Sequence, residues 1–172
     1  MADIKIKYPA TSTVAITCAL GAGPLASDST LLAGRASTAV DNTTNLDLDH
    51  LVSGVIRTGT SPTVSTTIEV WAYAPSSVAS GTPTYPDSIT GTDANKTMTS
   101  ANVKQASLAW LATITVDATS NRDYFIKPTS VAALFGGVLP PFWGLFVVHN
   151  TGVALNGTQV ALQYHRIQSQ TV

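Results

Sequence analysis

Val64-Ser-Thr-Thr-Ile-Glu-Val-Trp-Ala-Tyr73 is the stretch on which the fold turns. Val64, Thr66, Ile68, Val70 and Ala72 fall on one side of an extended chain, and Ser65, Thr67, Glu69, Trp71 and Tyr73 on the other. A period of two over β-branched and aromatic residues predicts a strand. The preceding Thr58-Gly-Thr-Ser-Pro62 is turn chemistry, with Gly and Pro supplying the backbone angles a reversal needs.

Upstream, Leu46–Arg57 (LDLDHLVSGVIR) reads as a strand with Leu46, Leu48, His50 and Val52 on one face and a bulge or bend at Gly54. Ile4, Ile6 and Tyr8 alternate with polar residues and predict an N-terminal strand rather than a signal peptide. Thr13–Leu20 is a further strand, and 21–34 (GAGPLASDSTLLAG) a small-residue connection over a surface or towards a neighbour.

Downstream, 75–101 is a long loop rich in Ser, Pro, Gly, Thr and Asp, with Tyr85 beside a Pro-Asp turn. Loops of that length usually make contacts or carry function. Val103–Trp110 reads as a helical turn entering a strand over 108–117, and RDYFIK (122–127) as its hairpin partner. Thr129 or Ser130 caps one helical turn that ends at Gly136-Gly137. Trp143–Asn150 (WGLFVVHN) is apolar on both faces, the mark of a central, buried strand. The last strand, about 159–168, points Val160, Leu162 and Tyr164 inward. About eight strands with turns between them predict one all-β domain over 1–172, a two-sheet antiparallel β-sandwich with Greek-key, jelly-roll-like connections.

Composition bounds the partners. Charged residues are 11% of the 172 and hydrophobic ones 44%, against about 25% charged in ordinary soluble domains. A net charge of -1 gives copies little electrostatic reason to stay apart, so much of the surface is expected to be covered in use. Nearly neutral charge, with nine Lys and Arg spread along the chain, argues against a nucleic-acid footprint, and no stretch has the length of a membrane-spanning helix. Cys18 stands alone, leaving no intrachain disulfide framework.

No chemistry-bearing constellation emerges. Asp47, Asp49 and His50 are close in sequence, but strand alternation sends His50 away from the two acids, predicting a structural histidine beside two solvated carboxylates. The oxygen-rich loops 41–45 and 117–123 lack the Gly and distal Glu of a calcium loop. There is no G-x-S-x-G elbow, phosphate loop or distinguished carboxylate pair, and Cys18 has no basic neighbour. Neither cofactor, metal nor catalytic residue is expected. Asn42, Asn95 and Asn156 open N-x-[ST] triplets that a Thr-rich chain produces by chance. Trp71, Tyr73 and Tyr85 could form a sugar-stacking platform; the other reading puts Trp71 and Tyr73 on a second buried face or at a subunit contact, which the enrichment of aromatics at interfaces favours.

Four stretches carry a resemblance: 31–63 (LLAGRASTAVDNTTNLDLDHLVSGVIRTGTSPT), 68–74 (IEVWAYA), 83–87 (PTYPD) and 130–156 (SVAALFGGVLPPFWGLFVVHNTGVALN). Their phrasing and composition resemble small virion structural proteins of tailed bacteriophages, most of all head decoration (cement) proteins. The resemblance implies a capsid-exterior protein made in the host bacterial cytoplasm. It implies the major capsid protein as partner, a homo-oligomer (dimer or trimer), and no nucleic-acid or membrane partner. Its action would be mechanical: binding only the expanded shell stabilises that state by mass action. The segments 1–12, 21–34 and 75–101 are the expected contacts, with Ile4, Ile6, Tyr8, Leu25, Leu31, Leu32, Trp71, Tyr73 and Tyr85 as candidate contact residues. A tail or fibre module that recognises host glycans is the alternative, requiring Trp71, Tyr73 or Tyr85 exposed in a shallow groove.

Overall fold

The computed structural model describes residues 3–10, 13–20, 25–157 and 161–171. Along them run β1 (Ile4–Lys7), β2 (Thr13–Ala15), β3 (Ala33–Ala36), β4 (Val40–Asp41), β5 (Asp49–Arg57), β6 (Thr66–Tyr73) and β7 (Ser77–Ala79). There follow β8 (Thr82–Thr84), β9 (Ala94–Thr97), α1 (Ala101–Ser107), β10 (Ala109–Val116), β11 (Asp123–Ser130), α2 (Val131–Leu134), β12 (Phe142–His149) and β13 (Ala161–Thr171). The helices are brief, each capped by a serine: the Ser100 hydroxyl accepts from Val103 N and that of Ser130 from Ala133 N. Gly136 and Gly137 then take positive φ and end α2, as the sequence indicates.

Two antiparallel sheets pack face to face. One has the order β1-β13-β5-β11, with β2 also on β13; the other has β10-β6-β12-β3-β9, with β4 also on β12. The all-β sandwich is therefore as the period-two stretches require. The main core fills the space between the sheets with Val52, Ile56, Ile68, Val70, Ala72, Leu145, Val147, Leu162 and Tyr164 among others.

A second core explains why β6 and β12 are apolar on both faces. Trp71, Tyr73, Phe146 and Val148 point to the far side of their sheet, where Ile89, Met98 and Leu108 close over them. The excursion from 74 to 108 is thus a cover rather than a free loop, and it carries β7, β8, β9 and α1. Buried Lys104 of α1 ties that cover to the sheet: its Nζ donates to Leu31 O at 2.7 Å and Glu69 Oε2 at 2.8 Å, above the Trp71 ring. Gly144 on β12 is required for close approach, since a Cβ there would lie 2.3 Å from Tyr73 Cζ.

Several local expectations are corrected. β10 and β11 do not pair as a hairpin: β10 pairs with β6 and β11 with β5, so the 117–122 turn crosses from one sheet to the other. The Asp117 carboxylate holds that turn by accepting from Thr119 N and the Tyr124 hydroxyl. The strand expected over 13–20 stops at Ala15, after which Ile16 and Leu20 turn into the core and the Asp93 carboxylate accepts from Ala19 N. β5 starts at Asp49, not Leu46; Leu46 has a positive φ and lies outside with Leu48. β6 starts at Thr66, leaving Val64 exposed. Gly54 sits in regular pairing between Leu162 and Ile126, and the irregularity lies across from it on β11, between Ile126 and Thr129. Val160 falls outside the described residues, while Leu162 and Tyr164 point inward as expected.

Candidate contact surfaces

The polar residues that looked most like chemistry are consumed by the fold. Asp47 is buried, not solvated. Its carboxylate accepts from His50 Nε2 at 2.9 Å, Arg166 Nε at 2.8 Å, Arg166 Nη2 at 3.1 Å and Gln168 Nε2 at 2.7 Å. Burial would raise its pKa, but these bonds hold it below the ordinary carboxylate value. Asp49 accepts from the backbone N–H of His50 and of Ala132, joining β5 to α2. The Asp41 carboxylate accepts from Thr43 N, and the Asn42 side chain closes the 42–47 turn through Asp47 N and O. Among the described residues no group of three or more His, Cys, Asp or Glu is placed to hold a metal ion. The Cys18 thiol has its pKa pushed up to about 12, first by burial and then by Asp93.

Among the described residues, most of the exposed large apolar side chains fall on three surfaces. The first is a prong. β13 pairs with β5 only as far as Ile167, and beyond it residues 168–171 pair with β1 alone. Ile4 and Ile6 on this two-stranded ribbon, and Tyr8 just after β1, are 78%, 70% and 63% exposed. A ribbon with no third strand is marginal by itself.

The second surface lies at one end of the sandwich. Exposed Leu46 and Leu48 belong to the 42–48 segment, which is anchored by Asn42 N donating to Pro141 O and Leu48 N donating to Ile167 O. Exposed Val138 is in the same 136–141 connection as Pro141, so the two segments share the end from which the prong rises.

The third surface is the open side between the edge strands β10 and β11. A groove of about 310 Å³ there is lined by Trp110, Ala112, Ile114, Phe125 and Lys127. Trp110 is 56% and Phe125 78% exposed. A register shift between Trp110 and Ala112 interrupts the alternation of β10: Trp110 stays opposite Trp71 on the outer face, and Leu111 turns inward.

The sequence-derived contact residues divide accordingly. Ile4, Ile6 and Tyr8 are on the surface. Leu25 is in the main core, and Trp71 and Tyr73 are in the second core, so none of these three is available to a partner. Tyr73 is sealed in by its hydroxyl, which donates to Ser37 O at 2.7 Å. Tyr85 meets it edge-on at 5.4 Å and, like Leu31 and Leu32, is half-buried against the second core. Sequence reasoning missed Trp110, Phe125, Leu46, Leu48 and Val138. The run Ala109–Val116, which carries no charge, was the available signal for Trp110.

Comparison of the chain with protein-family models, with curated proteins and with solved structures finds no match in any of the three.

Proposed function

We propose that the chain is a non-enzymatic structural protein of a bacteriophage virion, a capsid decoration protein that binds the outside of the expanded major-capsid-protein shell. The observation that carries this reading is the apolar end formed by Leu46, Leu48 and Val138 beside the Ile4–Ile6–Tyr8 prong, on a chain with few charges. Monomeric proteins seldom leave large contiguous apolar patches uncovered. A shell offers a covering surface in many copies, and a decoration protein that binds only its expanded form stabilises that form by mass action.

The resemblance of 31–63, 68–74, 83–87 and 130–156 to tailed-phage virion proteins supports the same reading. The buried polar groups favour a structural role, since the Asp47–His50 pair is closed on itself and on Trp143. The glycan-binding alternative called for Trp71, Tyr73 or Tyr85 exposed in a groove; Trp71 and Tyr73 are buried and Tyr85 is half-buried. The test is co-sedimentation of the purified chain with expanded shells that lack it, with unexpanded procapsids alongside.

A further inference from the structure

Free strand edges invite other strands, and proteins blunt them with Lys, Pro, other charges or brevity. Among the described residues this chain does so at nearly every edge. β1 carries Lys5 and Lys7, β9 carries Lys96, and β11 carries Lys127 and Pro128. β2 has three residues, and β4 has two, one of them Asp41. β13 has a free edge only beyond Ile167, four residues long. β10 is the exception. Its eight residues, Ala-Trp-Leu-Ala-Thr-Ile-Thr-Val, include no charge and no proline, and it ends the order of its sheet with β6 as its one partner.

The flanks of that edge are apolar as well. Trp110 and Phe125 are exposed on either side of the groove, with Ile114 half-buried between the sheets. We infer that β10 is the self-association edge of this protein, pairing antiparallel with β10 of a second copy about a two-fold axis. The joined strands make one sheet running from β9 of one copy to β9 of the other.

A second copy fits because the patch is self-complementary, as a two-fold contact requires: the same unguarded strand and the same aromatics meet from both sides. The area is also sufficient. At these exposures the two Trp110 and two Phe125 rings bring roughly 500 Å². Two eight-residue strand edges with Thr113, Ile114 and Thr115 raise the total to roughly 1,200 Å², where specific interfaces begin. The inference deepens the homo-oligomer part of the proposed function but needs no shell, so it stands or falls separately from capsid binding.

The test is sedimentation equilibrium of the full chain with no shells present. The parent is expected to form a concentration-dependent dimer. Thr113→Lys/Thr115→Lys places like charges across the two-fold on residues already exposed, and is expected to weaken the dimer at least roughly tenfold while leaving the monomer folded. Phe125→Ser, at another exposed position, should weaken it too. Thr97→Lys on exposed β9, the opposite edge of the same sheet, should leave it unchanged. A parent that is monomeric at every concentration overturns the inference. So does a dimer or larger oligomer that survives the double lysine variant, or one that Thr97→Lys disrupts equally.

Discussion

The indole Nε1 of Trp143 donates a hydrogen bond to Nδ1 of His50 at 2.9 Å, with both side chains buried. Because an indole N–H can only donate, His50 Nδ1 must carry its lone pair, and its proton sits on Nε2, directed at Asp47. The imidazole is therefore held neutral in one tautomer. A second proton on Nδ1 would face the Trp143 N–H. This closed Trp143–His50–Asp47–Arg166 chain joins β12, β5 and β13 across the core.

Stability should fall as the solution is acidified, in two stages. The pKa of His50 is lowered from 6.5 first by burial, and that of His149 likewise. The unfolded chain then binds more protons than the folded one below about pH 6.5, so stability is full above that pH and declines as the pH passes down through the folded-state values. Asp47, held below 3.8, adds a further loss beneath that value. Urea midpoints measured from about pH 8 to about pH 3 check the sign, and His50→Gln should shrink the first stage to the part that His149 contributes.

Asp47→Ala should be among the most damaging single changes, costing about 3–5 kcal/mol, because it leaves Arg166 and the His50 Nε2–H without their buried acceptor. Urea unfolding at neutral pH reads this directly. A cost under about 1 kcal/mol, the value of a surface pair, would contradict the buried network.

Gly144→Ala should cost about 1–3 kcal/mol or more, since its Cβ would collide with the Tyr73 ring. The Tyr73 hydroxyl bond to Ser37 O prevents the ring from moving aside without loss. Thermal melts of the variant, with Gly136→Ala as a comparison where a new Cβ meets nothing within 4 Å but the backbone φ is positive, separate crowding from backbone strain.

Cys18 should react slowly with a thiol reagent at mildly alkaline pH and rapidly once the protein is unfolded, its pKa being pushed up to about 12 in the fold. A folded protein labelled as quickly as the unfolded chain would contradict the burial of this thiol.

The β-class and the strands over 66–73, 142–149 and the inward face of 161–171 were legible because period-two patterning reports burial on a face directly. What the pattern could not tell was which object covers a face. Trp71 and Tyr73 fitted a second buried face or a subunit contact, and it is the buried face: Ile89, Met98 and Leu108 from the chain's own 74–108 excursion cover them. The turn at 117–122 looked like a hairpin because local turn chemistry is the same whether the next strand joins the same sheet or the opposite one. Asp47 was misplaced because the segment before Asp49 is not strand, so alternation did not apply to it. Phe125 and Trp110 passed as ordinary strand residues. Only the strand order places β10 and β11 at the edges of their sheets.

Leu46→Ser/Val138→Ser should leave the fold intact, within about 0.5 kcal/mol for each exposed change. The same variant should lose shell binding at least roughly tenfold. Parallel unfolding and binding curves separate these effects, and equal shell binding by parent and variant would move the contact away from this end of the sandwich.

The most direct measurement of the central claim is co-sedimentation of the purified parent chain with expanded capsids lacking it, against unexpanded procapsids, followed by thermal melts of the loaded shells. Saturable binding to expanded shells, absent from procapsids and accompanied by a higher shell melting temperature, is the predicted result. No binding to either particle, or equal binding to both with no gain in shell stability, would contradict a decoration role.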